Sequence, residues 1–309
     1  MDGVQILKAG DRATWLSLRR QDVTASAAGA LLDVHPWLSR FKLWASKAGR
    51  LMEDPEETAP MRRGRLLEPV AVALLKEEKP RWRIKHNTGR SQVYYRHPDL
   101  RIGATPDVLA TFKGRLAIVQ IKSVERSIFR SKWTDEDGET RPPLWIVVQA
   151  LIEAHLTGAQ DAYVAPLVVG HGIDLELIKI PIHEGAWMRV KEEVEAFWRS
   201  IAAGEAPEPD YERDGQTLSE LFAEDDGTEI DLSEDSRFLE LIQRRADLKR
   251  VIKESELRLE PIEAEIVHRI GKHERAYVPG WRVSRPLTQR RDRITGAVTM
   301  TRQLRIREG

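Results

Sequence analysis

Gly103-Ala104-Thr105-Pro106-Asp107, then Leu116-Ala117-Ile118-Val119-Gln120-Ile121-Lys122 after a Lys113-Gly114 turn, is the stretch whose reading decides the fold. Asp107 heads one extended run, and Leu116 to Ile121 has the apolar character of a buried strand bounded by a turn. Lys122 is the first charge after that run, at the carboxyl end where open α/β sheets place their chemistry. Gln120 and Lys122 are two apart, so their side chains leave one face of the strand. If the two runs pair through the short turn, Asp107 projects toward the same point.

Outward from this centre the pattern is α/β: a mixed central sheet flanked by helices. Downstream, the spacing predicts a helix over 145–156 carrying Gln149 among apolar residues, a hairpin about Gly170-His171-Gly172, and an amphipathic helix over 184–202. Upstream, short strands are expected at 81–86 and 91–95, and Leu66, Leu67, Val70, Leu74 and Leu75 mark a helix that carries Glu68 near its start. Glu68 sits beside Leu67 on the inward edge of that helix, or pairs with Arg65 on the surface. Residues 53–60 read as a loop. Residues 36–50 interleave Trp37, Phe41 and Trp44 with Arg40, Lys42 and Lys47, which suits either a nucleic-acid channel or a helix with one buried face. Trp15 to Arg20 reads as a short helix, and Ser26 suits the cap of an apolar helix over 27–32.

The chain has 309 residues, no cysteine, and 49 basic against 49 acidic residues. That size supports a sizeable core, and the absence of cysteine excludes disulfides, thiolate zinc sites and cysteine-ligated clusters. The balance is uneven along the chain: residues 1–50 hold eight Lys/Arg against four Asp, and residues 281–309 hold eight Arg against two acids. Residues 204–240 hold fourteen acids against two Arg. Two basic ends and an acidic middle predict either a basic groove on a neutral protein or solvated charge. The expected organisation is a core over 1–203, an acidic linker over 204–235 and a helical plus β-hairpin extension over 236–309. Within that extension, residues 238–270 predict one long helix or a hairpin broken near Pro261, followed by two Arg-rich strands. With no apolar run of about 18 residues and no signal-like start, a cytoplasmic protein is expected.

Pro106-Asp107 and Gln120-Ile121-Lys122 together resemble the PD-(D/E)xK nuclease superfamily, with its restriction-endonuclease-like core, although Gln stands where that pattern has Glu or Asp. Trp15-x3-Arg19 followed by Thr24-Ala25-Ser26, with Gly64-x3-Glu68-Pro69, resembles the lambda-exonuclease and YqaJ-like viral recombinase nucleases over roughly residues 11–202. The resemblance implies a metal-dependent exonuclease of phage-type recombination that degrades the 5′-ended strand of linear duplex DNA in a bacterial host cell. It implies that Glu68, Asp107, Gln120 and the Ile121 carbonyl hold Mg²⁺, with Mn²⁺ able to substitute, and that Lys122 serves the attacking water. It further implies that Arg19 and Ser26 bind the DNA 5′-phosphate, that Gln149 contacts DNA or orients Lys122, and that a ring-like trimer works with a single-strand annealing protein. Three readings of Gln120 stand together: a native tolerated residue, a Glu replaced to trap uncut DNA, or the mark of a DNA-end binder that does not cut. An endonuclease on the same core is a further alternative.

Overall fold

The computed structural model describes residues 3–51, 57–135, 137–291 and 298–308, and the chain divides into two compact units, residues 1–225 and 226–309. The first unit begins with β1 (Gln5–Lys8), α1 (Arg12–Arg20), β2 (Val23–Thr24), a 3₁₀ turn (Ala28–Leu32), α2 (Arg40–Lys47) and α3 (Ala59–Glu78). Strands β3 (Arg83–His86), β4 (Val93–His97), β5 (Ile102–Ala104), β6 (Val108–Phe112) and β7 (Arg115–Glu125) follow, then α4 (Arg126–Lys132) and α5 (Leu144–Thr157). The unit closes with β8 (Asp161–Val169), β9 (Ile173–Leu175), β10 (Ile178–Ile180), α6 (Glu184–Ala203) and α7 (Gly215–Leu221).

The expected mixed sheet is present, with strand order β10-β8-β7-β6-β3 and β9 added on β8. Its only parallel pair among the described residues is β7 with β8, whose crossover is supplied by α4 and α5. Strands β6 and β7 form a two-residue hairpin in which both Lys113 (φ 48°) and Gly114 (φ 77°) are left-handed, as a turn matching the strand twist requires. Val108 faces Val119 in that hairpin, so Asp107 arrives beside Gln120.

Alternation along β7 sends Val119 and Ile121 against Ala71, Val72 and Leu75 of α3. Ile118 and Val124 pack the other way, against Ile146, Ala150 and Ala154 of α5. Gln120 and Lys122, in phase with Ile118, therefore face α5. Helix α3 starts earlier than the apolar spacing predicts because Thr58 caps it at the Met61 N–H; residues 53–56 of the expected loop lie outside the described residues. Pro69 sits inside α3, where its ring is accommodated within an otherwise continuous helix.

A second sheet, β1-β4-β5-β2, shares its core with α2, α5 and α6. Phe41, Leu43 and Trp44 of α2 are buried there, so most of the aromatic residues in 36–50 are core. Gly103 lets β5 approach Tyr94: a Cβ there would stand 1.8 Å from the phenol oxygen. That phenol donates to Asp22 at 3.0 Å, and the Arg96 guanidinium donates to the same fully buried carboxylate at 2.9 Å.

The acidic linker expected over 204–235 requires correction. Asp214 is buried and accepts from Ser39 Oγ at 2.5 Å, Arg213 donates to the His35 carbonyl at 2.9 Å, and Thr217 is buried. Residues 210–221 thus belong to the first unit. In the second unit, α8 (Ser236–Ile270) is one continuous helix through Pro261, followed by β11 (Arg275–Val278), β12 (Trp281–Ser284), β13 (Leu287–Arg291), β14 (Val298–Arg302) and β15 (Arg305–Glu308). These strands make a β11-β12-β15 sheet and a separate antiparallel β13-β14 pair, more than the two strands expected. No helix among the described residues is long and apolar enough to cross a membrane.

Candidate active site

Asp107 Oδ2 accepts from the Ile121 backbone N–H at 2.8 Å and from the Gln120 amide nitrogen. The hairpin register makes this meeting unavoidable. Burial, and then the Glu68 carboxylate, push Asp107 up to about 7, against the opposing influence of Lys122 and the Ile121 N–H. Glu68 reaches the same region from α3. Its surface pairing with Arg65 is not found: Arg65 binds Glu57 at 2.7 Å, and Glu68 Oε1 meets His86 Nε2 at 2.6 Å.

On the α5 side, Lys122 Nζ donates to Gln149 Oε1 at 2.9 Å and lies 5.1 Å from the centroid of the Trp145 ring. Burial pulls the Lys122 ammonium below its ordinary value, opposed by Asp107, Glu153 and Glu68. Gln149 Nε2 in turn donates to Glu153 Oε1 at 2.9 Å. An amide tethered through its nitrogen must turn its oxygen to the ammonium, so Glu153 fixes the sense of the Lys122–Gln149 bond. Glu153 is 0% exposed; burial, and then Asp107, hold its carboxyl well above the usual range.

Sequence reasoning passed over Glu153, His86 and Trp145. Glu153 left a signal, a carboxylate in a nearly all-apolar helix one turn after Gln149, whereas His86 is joined to Glu68 only by tertiary pairing. Among the described residues, no three His, Asp or Glu side chains converge as a metal cluster. The smaller donor set is nonetheless suited to a hard cation: two carboxylates near one another, the Ile121 carbonyl, and Gln120 Oε1, a buried oxygen without a hydrogen-bond partner. All are oxygens, as Mg²⁺ prefers, and a sparse set suits an ion that retains water.

Arg19 and Ser26 are also brought together. The Arg19 guanidinium donates to Ser26 Oγ at 3.4 Å and stacks 4.3 Å over Trp15, whose indole N–H donates to Thr105 Oγ1 at 3.1 Å. Ser26 caps no helix: residues 28–32 form a 3₁₀ turn without a side-chain cap, and the Ser26 hydroxyl lies 3.2 Å from Thr24 Oγ1 instead. Because β2 pairs with β5, this pair is anchored to the strand that leads into Pro106-Asp107.

Residues 14–160 match the family model of the YqaJ-like viral recombinase domain. The matched stretch includes every residue of the centre just described. The chain is 27% identical over 278 residues to YqaJ of Bacillus subtilis, a protein described as uncharacterised, covering 86% of this chain and 81% of that one. It is also similar to the alkaline exonuclease LHK-Exo of Laribacter hongkongensis, at 22% identity and TM-score 0.49, with 67% of this chain and 100% of that chain covered. A second solved structure, a putative exonuclease from Eubacterium rectale, aligns at 12% identity and TM-score 0.45 over 71% of this chain and 94% of that one.

Proposed function

We propose that the YqaJ-like domain is a divalent-metal-dependent exonuclease that hydrolyses the 5′-ended strand of linear double-stranded DNA. The observation that carries this reading is the convergence of Asp107, Gln120 and Lys122 on one point of the β6–β7 hairpin, with Glu68 beside it. Glu68, Asp107, Gln120 Oε1 and the Ile121 carbonyl would hold Mg²⁺, or Mn²⁺ in its place. When bound, such an ion activates a water and neutralises charge developing on the phosphate. The chain itself supplies the rest. Lys122 presents ammonium protons to the water and the scissile phosphate, Gln149 holds one of those protons and so aims the others, and Glu153 holds Gln149. Arg19 grips the terminal 5′-phosphate with two N–H groups while Ser26 donates its hydroxyl. Action in the cytoplasm of a bacterial host, as a trimeric ring beside a single-strand annealing protein, completes the proposal.

One observation favours a second reading, a DNA-end binder that does not cut. The Gln120 amide nitrogen already donates to Asp107 Oδ2, in the place a cation would take. Digestion of linear duplexes with and without a 5′-phosphate in Mg²⁺, using the protein and Gln120→Glu beside closed circles, separates the readings. An exonuclease shortens phosphorylated linear DNA and spares circles. Cutting of circles points to an endonuclease, and no cutting by either protein leaves the binder.

A further inference from the structure

Residues 36–50 hold one aromatic ring that the core does not absorb. Trp37 is 73% exposed, while Phe41 and Trp44 are buried. An indole left in water normally lacks a fixed position, yet this one is held. Its backbone N–H and that of Leu38 both donate to His35 Nδ1, at 3.3 and 3.0 Å, and Arg213 pins the His35 carbonyl at 2.9 Å. Trp37 stands edge-on to Trp145, with ring centroids 5.6 Å apart, and Trp145 meets His35 at 5.1 Å. The same Trp145 ring carries the Lys122 ammonium. Trp145 has little room to retreat, because its Cβ packs so closely on Gly29 that a side chain there would meet it at 3.0 Å.

We infer that Trp37, Trp145 and His35 form an aromatic shelf on which one nucleobase stacks, in the strand whose phosphate lies at Asp107 and Lys122. The inference rests on the nuclease reading of that centre and adds a base subsite to it. A π-face accepts any of the four bases, so the shelf would hold a strand end without selecting sequence. Its place beside the cation also fits a nucleotide, whose phosphate and base must be satisfied side by side by a charge and a ring.

The test measures binding of 5′-phosphorylated oligonucleotides in chelator, where cleavage plays no part. The protein, Trp37→Ala and Trp37→Phe are each compared on normal DNA and on DNA whose first three 5′ nucleotides are abasic. Trp37→Ala should weaken binding of normal DNA about 5- to 100-fold, the scale of one base–aromatic stack. Trp37→Phe should keep most of the affinity, and on abasic DNA the three proteins should bind alike. Equal weakening by Trp37→Ala on both DNAs, or no weakening on either, overturns the inference. Cleavage in Mg²⁺ is scored separately, so its absence counts against the nuclease reading while the abasic comparison still decides the shelf.

Discussion

At the residue scale, Gln120 decides how the centre behaves without a cation. Its amide N–H bonds Asp107 and leaves its own oxygen buried and unpartnered. To take a cation the amide must give up that bond and rotate its oxygen inward. In Gln120→Glu the bond is replaced by a third carboxylate facing Asp107 and Glu68, so calorimetric Mg²⁺ affinity should rise about tenfold or more. Unchanged affinity would remove position 120 from the donor set. Glu153 makes a second prediction. Both Asp107 and Glu153 have folded-state pKa values above their unfolded ones, so the native state holds protons that the unfolded chain releases. Their contribution is therefore fully present below about pH 3.8, under both unfolded values; that of Asp107 is lost as pH rises through about 7, and that of Glu153 as pH rises well above 4.5. In chelator, Glu153→Gln should gain on the order of 1 kcal/mol at pH 8 and nothing at pH 4, read by denaturant unfolding. The sequence made Asp107, Gln120, Lys122 and Gln149 legible because strand period and helix position aim them. Glu153 was just as visible and went unread, since a lone acid in an apolar run carries no motif.

At the element scale, hydrophobic period located most strands and helices, and two of the misread segments turn on polar residues whose partners differ from those their composition suggests. Ser26 has the composition of a cap, yet the chain after it is too short and too tightly wound to be an α-helix. Residues 210–221 have the composition of a linker, yet Asp214 spends its charge on Ser39 inside the fold. Composition cannot distinguish a solvated acid from a buried acceptor. The best-defined example is Asp22, where Tyr94 and Arg96 of β4 meet the turn between α1 and β2. Asp22→Ala leaves the Arg96 charge without its buried partner and should cost about 3–5 kcal/mol. Because that turn follows Arg19, binding of phosphorylated ends should weaken in the same variant. Full stability would show that the pair contributes little.

At the scale of the whole molecule, 49 positive and 49 negative charges give no net field to draw DNA in. Attraction must come from local contacts. The logarithm of end-binding affinity against the logarithm of salt concentration should then have a shallow slope, and Arg19→Ala should flatten it by about 1. A slope left unchanged would mean that Arg19 meets no phosphate. Helix α8 has a different bearing on the molecule. Over 35 residues, a rod of about 50 Å, it turns Leu241, Ile242, Leu248, Ile252, Leu259 and Ile262 outward, and Ile270 is its one buried residue. Among the described residues, the three clusters of buried apolar side chains lie entirely before residue 226. Cutting the polypeptide after Asp225 should consequently leave the melting transition of the remainder intact and make it less prone to clump on storage, because the greasiest exterior leaves with the piece removed.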